Sequence, residues 1–171
     1  DAFPTLGWGG INPTQSLVEA FEDIEGAPIA KSTIYDPTNP FENRDPRLEV
    51  NVLHDGEVMY GQTIKVAPLP SSGNTGIGQH GDATATGYYQ QKWLDPSIYP
   101  GTDGWSMGKD AVVIRYAEVL LTYAEAKNEL TGLDASAFDA VNQVRARVGM
   151  PALQNNDPSK PTYCATQDDL R

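Results

Sequence analysis

The chain has 171 residues, enough for one domain with its own core, and 39% of them are hydrophobic. Twelve Lys and Arg stand against 23 Asp and Glu, a net charge of −11. This excludes the basic face that nucleic-acid binding needs and simple adhesion to anionic lipid, while a neutral ligand such as a glycan is compatible with it.

Asn12-Pro13-Thr14-Gln15 reads as a helix start, with Asn12 as cap, Pro13 at the first helical position and Gln15 reaching back. Leu17, Val18, Ala20 and Phe21 form its apolar stripe, and the helix is expected to end before Gly26. Residues 27–110 then read as mostly irregular. Asp36-Pro37, Asn39-Pro40, Asp45-Pro46 and Asp95-Pro96 signal turns between short strand-like pieces at 48–53, 57–60 and 87–94. Ser71 to Thr86, rich in Gly, Ser, Thr and Asn, reads as an exposed mobile loop.

From Val112 the period becomes helical. Ile114, Ala117, Leu121 and Ala124 recur at 3.6-residue spacing beside a second stripe of Val113, Tyr116, Leu120 and Tyr123. These stripes predict a helix over 112–131 buried on a wide face, Leu121, Tyr116 and Tyr123 included, with Gly132 as its C-cap. A second helix is predicted over 135–148, with Ser136 and Asp139 at capping-box spacing, Val144 in the core and Arg145 and Arg147 in the last turn. Ala117, Ala124, Ala137 and Ala140 allow close approach, so the two helices form a tetratricopeptide-like hairpin that needs further helices to cover both its faces.

Cys164 has no partner for an internal disulfide and reads as an incidental thiol in a polar loop. His54 and His80 do not make a zinc spacing, and no run reaches the roughly 20 apolar residues of a membrane span. The start at Asp1, without methionine or signal peptide, and the helix start at 167–171 lead us to expect a piece of a longer protein.

Four motifs in order carry a resemblance. They are Asn12-Pro13-Thr14-Gln15-Ser16-Leu17-Val18-Glu19-Ala20-Phe21; Asn43-Arg44-Asp45-Pro46-Arg47; Gly87-Tyr88-Tyr89 with Lys92 and Trp93; and the run from Ile114 through Tyr123-Ala124-Glu125-Ala126, continued by Val141-Asn142-Gln143-Val144-Arg145-Ala146-Arg147. Together they resemble the C-terminal part of the SusD/RagB family. The resemblance implies a mainly α fold: a tetratricopeptide-like helical hairpin with a long loop-rich region containing a few short strands. Residues 1–110 would be the ligand-side region and 111–171 the helical part. It implies a non-catalytic nutrient-binding lipoprotein at the outer-membrane surface of a Gram-negative bacterium. The partner implied is a SusC-like TonB-dependent transporter, the ligand an oligosaccharide or alternatively a peptide. Any membrane attachment would be through a lipid anchor outside this chain.

Competing readings can be weighed on the residues. Glu118 and Glu125 could be a glycosidase pair, but seven residues on a helix set them about 10 Å apart without a visible cleft. Salt bridges to Arg115 and to the arginines of the second helix fit them better. A helical-repeat adaptor that binds only proteins is a third class. Arg44, Asp45 and Arg47 read as a structural ion-pair cluster rather than an anion site. Asp36, Asn39, Asn43 and Asp45 leave calcium open as a cofactor, but the spacing is not that of an EF-hand and turn capping by their side chains accounts for them; no other cofactor is expected. Sugar binding needs flat aromatic faces beside polar groups. Trp8, Tyr99 and Trp105 are aromatics in Gly- or Pro-bearing loops, and with Asn12 and Asp103 as hydrogen-bonding neighbours they are the candidate glycan contacts. Trp93 is assigned to the core.

Overall fold

The computed structural model describes residues 11–67, 76–77, 83–92, 94, 110 and 112–171. Among them the fold is mainly helical with a few two-residue strands. Contacts divide the chain into two units, Asp1–Ala20 with Arg47–Lys109 and Phe21–Pro46 with Asp110–Arg171.

In the first unit, helix α1 (Gln15–Ala20) buries Val18. Its cap is Thr14 and not Asn12: the Thr14 hydroxyl accepts the Leu17 N–H at 3.2 Å, the three-residue reach that an N-cap oxygen requires. Pro13 is therefore outside the helix and buried, and the Gln15 amide donates forward to Glu19 at 3.0 Å instead of back. Leu48, expected in a strand, belongs to helix α2 (Pro46–Glu49) at the junction of the units. Pro46 presets the helical φ of that first turn.

Strand β1 (Val52–Leu53) pairs antiparallel with β4 (Tyr89–Gln90), setting Leu53 opposite Tyr89. Strands β2 (Val58–Met59) and β3 (Gln62–Thr63) form a hairpin. Its two turn residues both lie in the left-handed region, Tyr60 with φ 51° and Gly61 with φ 74°. Two left-handed residues in succession give the turn whose twist matches that of paired strands. Leu53, Met59, Ile64 and Tyr89 form the core here, with Tyr60, Val66 and Leu94 packed against it.

The segment expected to be an exposed loop over 71–86 ends inside this core. Thr84 is 0% exposed; its hydroxyl donates to the Tyr88 carbonyl at 2.6 Å and its N–H to Tyr89 Oη at 3.1 Å. A threonine with both polar groups bonded can be buried without cost to hydrogen bonding, which composition alone does not reveal.

In the second unit, helix α3 (Tyr116–Thr131) and helix α4 (Ala135–Ala146) form the predicted hairpin. Both are shorter than the predicted spans. Residues 112–115 stay outside α3, and Arg115 is extended with φ −119° and ψ 154°. Gly132 ends α3 with φ 73°. Asp134, rather than the Ser136–Asp139 pair, caps α4 by accepting the Ser136 N–H at 2.8 Å. Ala124, Ala137 and Ala140 make the close helix contact, flanked by Leu120, Val141 and Leu170.

Val144 is buried as predicted, but Leu121 is 45%, Tyr123 46% and Tyr116 69% exposed. Helix α4 packs on α3 at Ala124 and α5 meets it at Asn128, while much of the remaining apolar face of α3 stays exposed. Helix α5 (Gln167–Leu170) starts at a capping box of Thr166 and Asp169. It is tied to α3 by reciprocal bonds between Asn128 and Gln167 at 3.0 and 2.7 Å and by the Arg171–Glu129 ion pair at 2.6 Å.

Residues 21–45 pack within this unit through polar groups. The buried Asp23 carboxylate accepts from the backbone of Glu25 and Ala27, both at 2.9 Å, and from the Ser32 hydroxyl. Arg44 donates to the carbonyls of Pro40 at 2.6 Å and Phe21 at 3.0 Å and lies over the Tyr35 ring. Arg145 pairs with Glu22 at 2.7 Å, while Arg115, Arg145 and Arg147 make no ion pair with Glu118 or Glu125 among the described residues. Burial of the Arg145 guanidinium favours a partner that can be desolvated with it, and Glu22 is the half-buried one. Cys164 lies in irregular chain as expected, with its thiol buried.

Candidate functional site

Of the residues singled out for glycan contact, Trp8, Tyr99, Asp103 and Trp105 lie outside the described residues, as do Trp93 and His80. Asn12 is half-buried beside the buried Pro13, just ahead of α1.

The chemistry of the remaining candidates is restrictive. Glu118 and Glu125 are both exposed on one helix. Burial pushes the Cys164 thiol above its ordinary range, which leaves little thiolate for nucleophilic attack. The His54 ring is held by Glu57 at 3.5 Å and by the Asp55 carbonyl at 2.9 Å. Asp36 accepts from the N–H and hydroxyl of Thr38 at 2.8 and 2.7 Å and from Asn39 at 3.0 Å, and the Thr38 hydroxyl bond leads in holding its carboxyl below the usual range. That carboxylate acts as a turn cap. Among the described residues no group of three or more His, Cys, Asp or Glu is placed to hold a metal ion.

A groove of about 280 Å³ runs beside α3. Leu121, Ala124, Val141 and Leu170 line it, with Glu125 and the Glu129–Arg171 pair at its edge. Its lining mixes aliphatic and polar side chains and offers no aromatic plane, so it lacks the flat apolar face on which a sugar ring stacks.

The first unit carries a different arrangement, which the sequence reading passed over. Tyr88 precedes the buried Tyr89, and successive strand side chains point to opposite faces. Tyr88 is accordingly half-buried, and its hydroxyl donates to Gln15 Oε1 on α1 at 2.6 Å. Gln15 in turn is fixed by Glu19. The adjacent tyrosines of Gly87-Tyr88-Tyr89 were the available signal: Tyr88 comes just ahead of β4, and two neighbouring side chains of an extended chain do not both enter one core.

A model of the SusD family matches residues 2–171. A solved SusD-like carbohydrate binding protein from Bacteroides fragilis is 30% identical, with a TM-score of 0.76 over 92% of this chain and 33% of its own. A second SusD-like protein from the same organism is 29% identical, with a TM-score of 0.64 over 89% of this chain and 31% of its own. The chain thus spans about a third of the length of these solved relatives. No curated protein matches. With the family's motifs, its helical hairpin and its fold all present, the chain belongs to the SusD family.

Proposed function

We propose that the intact protein is a non-catalytic surface receptor that captures oligosaccharides and delivers them to a SusC-like TonB-dependent transporter in the outer membrane. The supporting observation is the family match over 2–171 joined to 30% identity with a carbohydrate-binding relative across 92% of the chain. The acidic balance suits a neutral ligand. In this reading residues 1–110 supply the ligand side and 111–171 the helical scaffold. No helix among the described residues is long and apolar enough to cross a membrane, and attachment would be through a lipid anchor elsewhere in the intact protein.

Titration of the intact protein with defined oligosaccharides and peptides tests this directly. Stacking on one ring contributes on the order of 1 kcal/mol, so Trp8→Ala or Trp105→Ala should weaken oligosaccharide binding about five- to tenfold. Unchanged affinity in both variants would remove those two rings from the site. Binding of peptides alone, or sustained glycan cleavage, would overturn the receptor reading, and repeated failure to co-purify a large barrel from outer membranes would count against the transporter.

A further inference from the structure

We propose that Tyr88, Gln15 and Glu19 form a carbohydrate subsite on the first unit, in which the Tyr88 ring offers an apolar face and the three polar ends bind sugar hydroxyls. This rests on the oligosaccharide-receptor reading and assigns it a place.

The array is held from several sides. The Tyr88 carbonyl accepts from the hydroxyl of the fully buried Thr84, and its N–H donates to Thr86 Oγ1 at 3.4 Å. Its neighbour Tyr89 is locked in the core at 1% exposure. The backbone that aims Tyr88 outward is thus fixed by buried groups, and its hydroxyl by Gln15 at 2.6 Å across 73 positions of sequence. A polar chain that long-range and that directional gains little as a structural latch, because a solvent-exposed hydrogen bond contributes little net stability.

Gln15 and Glu19 keep polar capacity to spare. Gln15 Nε2 has two hydrogens, of which one goes to Glu19 Oε1, and among the described residues Glu19 Oε2 accepts no bond. The result is an alternating row of a phenolic oxygen, an amide and a carboxylate beside a half-buried ring. Sugar hydroxyls both donate and accept, and the faces of pyranose rings are apolar, so one carbohydrate ring can meet all of these at once. Because the side chains are already ordered, a ligand would not have to immobilise them.

The experiment is calorimetric titration of the intact protein and its Tyr88→Phe and Gln15→Ala variants with soluble oligomers of glucose, xylose and mannose and with a pool of short peptides. Thermal unfolding is measured on the same samples. For the oligosaccharide that the parent protein binds, each variant should lose about fivefold in affinity with little change in Tm. Unchanged affinity in both variants, with parent binding intact, overturns the subsite and leaves the receptor reading standing. A lowered Tm with unchanged affinity makes the chain a structural latch. A parent protein that binds no oligosaccharide, or only peptides, overturns both.

Discussion

Gly26 has a φ of +84°, and a Cβ placed there would lie 2.6 Å from Thr162 Cγ2 and 2.8 Å from Arg145 Nη2. The backbone passes this closely because Arg145 is drawn inward by Glu22 at 2.7 Å and by the Pro151 carbonyl at 2.6 Å. Gly26→Ala should therefore destabilise the protein by about 3 kcal/mol, combining left-handed strain with a steric clash in a packed interior. Gly61→Ala provides the comparison. Its φ is +74° but nothing lies within 4 Å, so the conformational penalty of about 1 kcal/mol stands alone. Urea unfolding of the two variants measures the difference, and equal losses would sink the packing explanation. Sequence showed Gly26 as a terminator beyond the first helix. It could not show the arginine and threonine more than a hundred positions away that demand the missing side chain.

At the scale of elements, the helical hairpin was legible because apolar residues recurred at 3.6 spacing and Gly132 stood after the last of them. Which stripe would be buried was not legible. Periodicity reports that a helix has an apolar side, while burial depends on how fully a neighbour covers it, and Tyr116, Leu121 and Tyr123 stay 69%, 45% and 46% exposed. The strand region shows the opposite limit. Thr84 looked like loop, but Tyr89 accepts its N–H at 3.1 Å and the two are buried together. Tyr89→Phe removes that acceptor and leaves a buried donor unpaired, at a cost of about 1–3 kcal/mol. Hydrogen exchange adds a local readout: the Thr84 amide should exchange slowly in the parent and markedly faster in the variant. Fast exchange already in the parent would contradict the burial.

For the whole molecule, the net charge of −11 separates the two ligand classes. Binding of a neutral oligosaccharide through stacking and hydroxyl bonds should change less than about twofold when salt is raised from about 0.05 to 0.5 M, because screening acts on charge pairs. Binding of a basic peptide to this acidic protein should weaken several-fold over the same range. A steep salt dependence for the oligosaccharide would show that charge carries its affinity. Family membership was legible from motif order. The site was legible only in kind, because loop aromatics mark a preference for flat ligands without fixing which rings meet, and the Tyr88–Gln15 contact joins segments whose nearness no local pattern encodes.

The two units interleave along the chain, since Phe21–Pro46 belongs with Asp110–Arg171 while Arg47–Lys109 belongs with the residues before it. This has a consequence in time during synthesis. The 21–46 segment leaves the ribosome early, yet the Arg145 that Glu22 pairs with is made only after the whole of 47–109. At roughly 5–20 residues per second that is a wait of several seconds. Through this interval Asp23 and Arg44 can hold the segment together through local partners, among them Ser32, Ala27, Pro40 and Phe21. The polar clasp is then a way of keeping an early piece in shape until its late partner arrives, and folding of the intervening stretch meanwhile shortens the loop that must be closed.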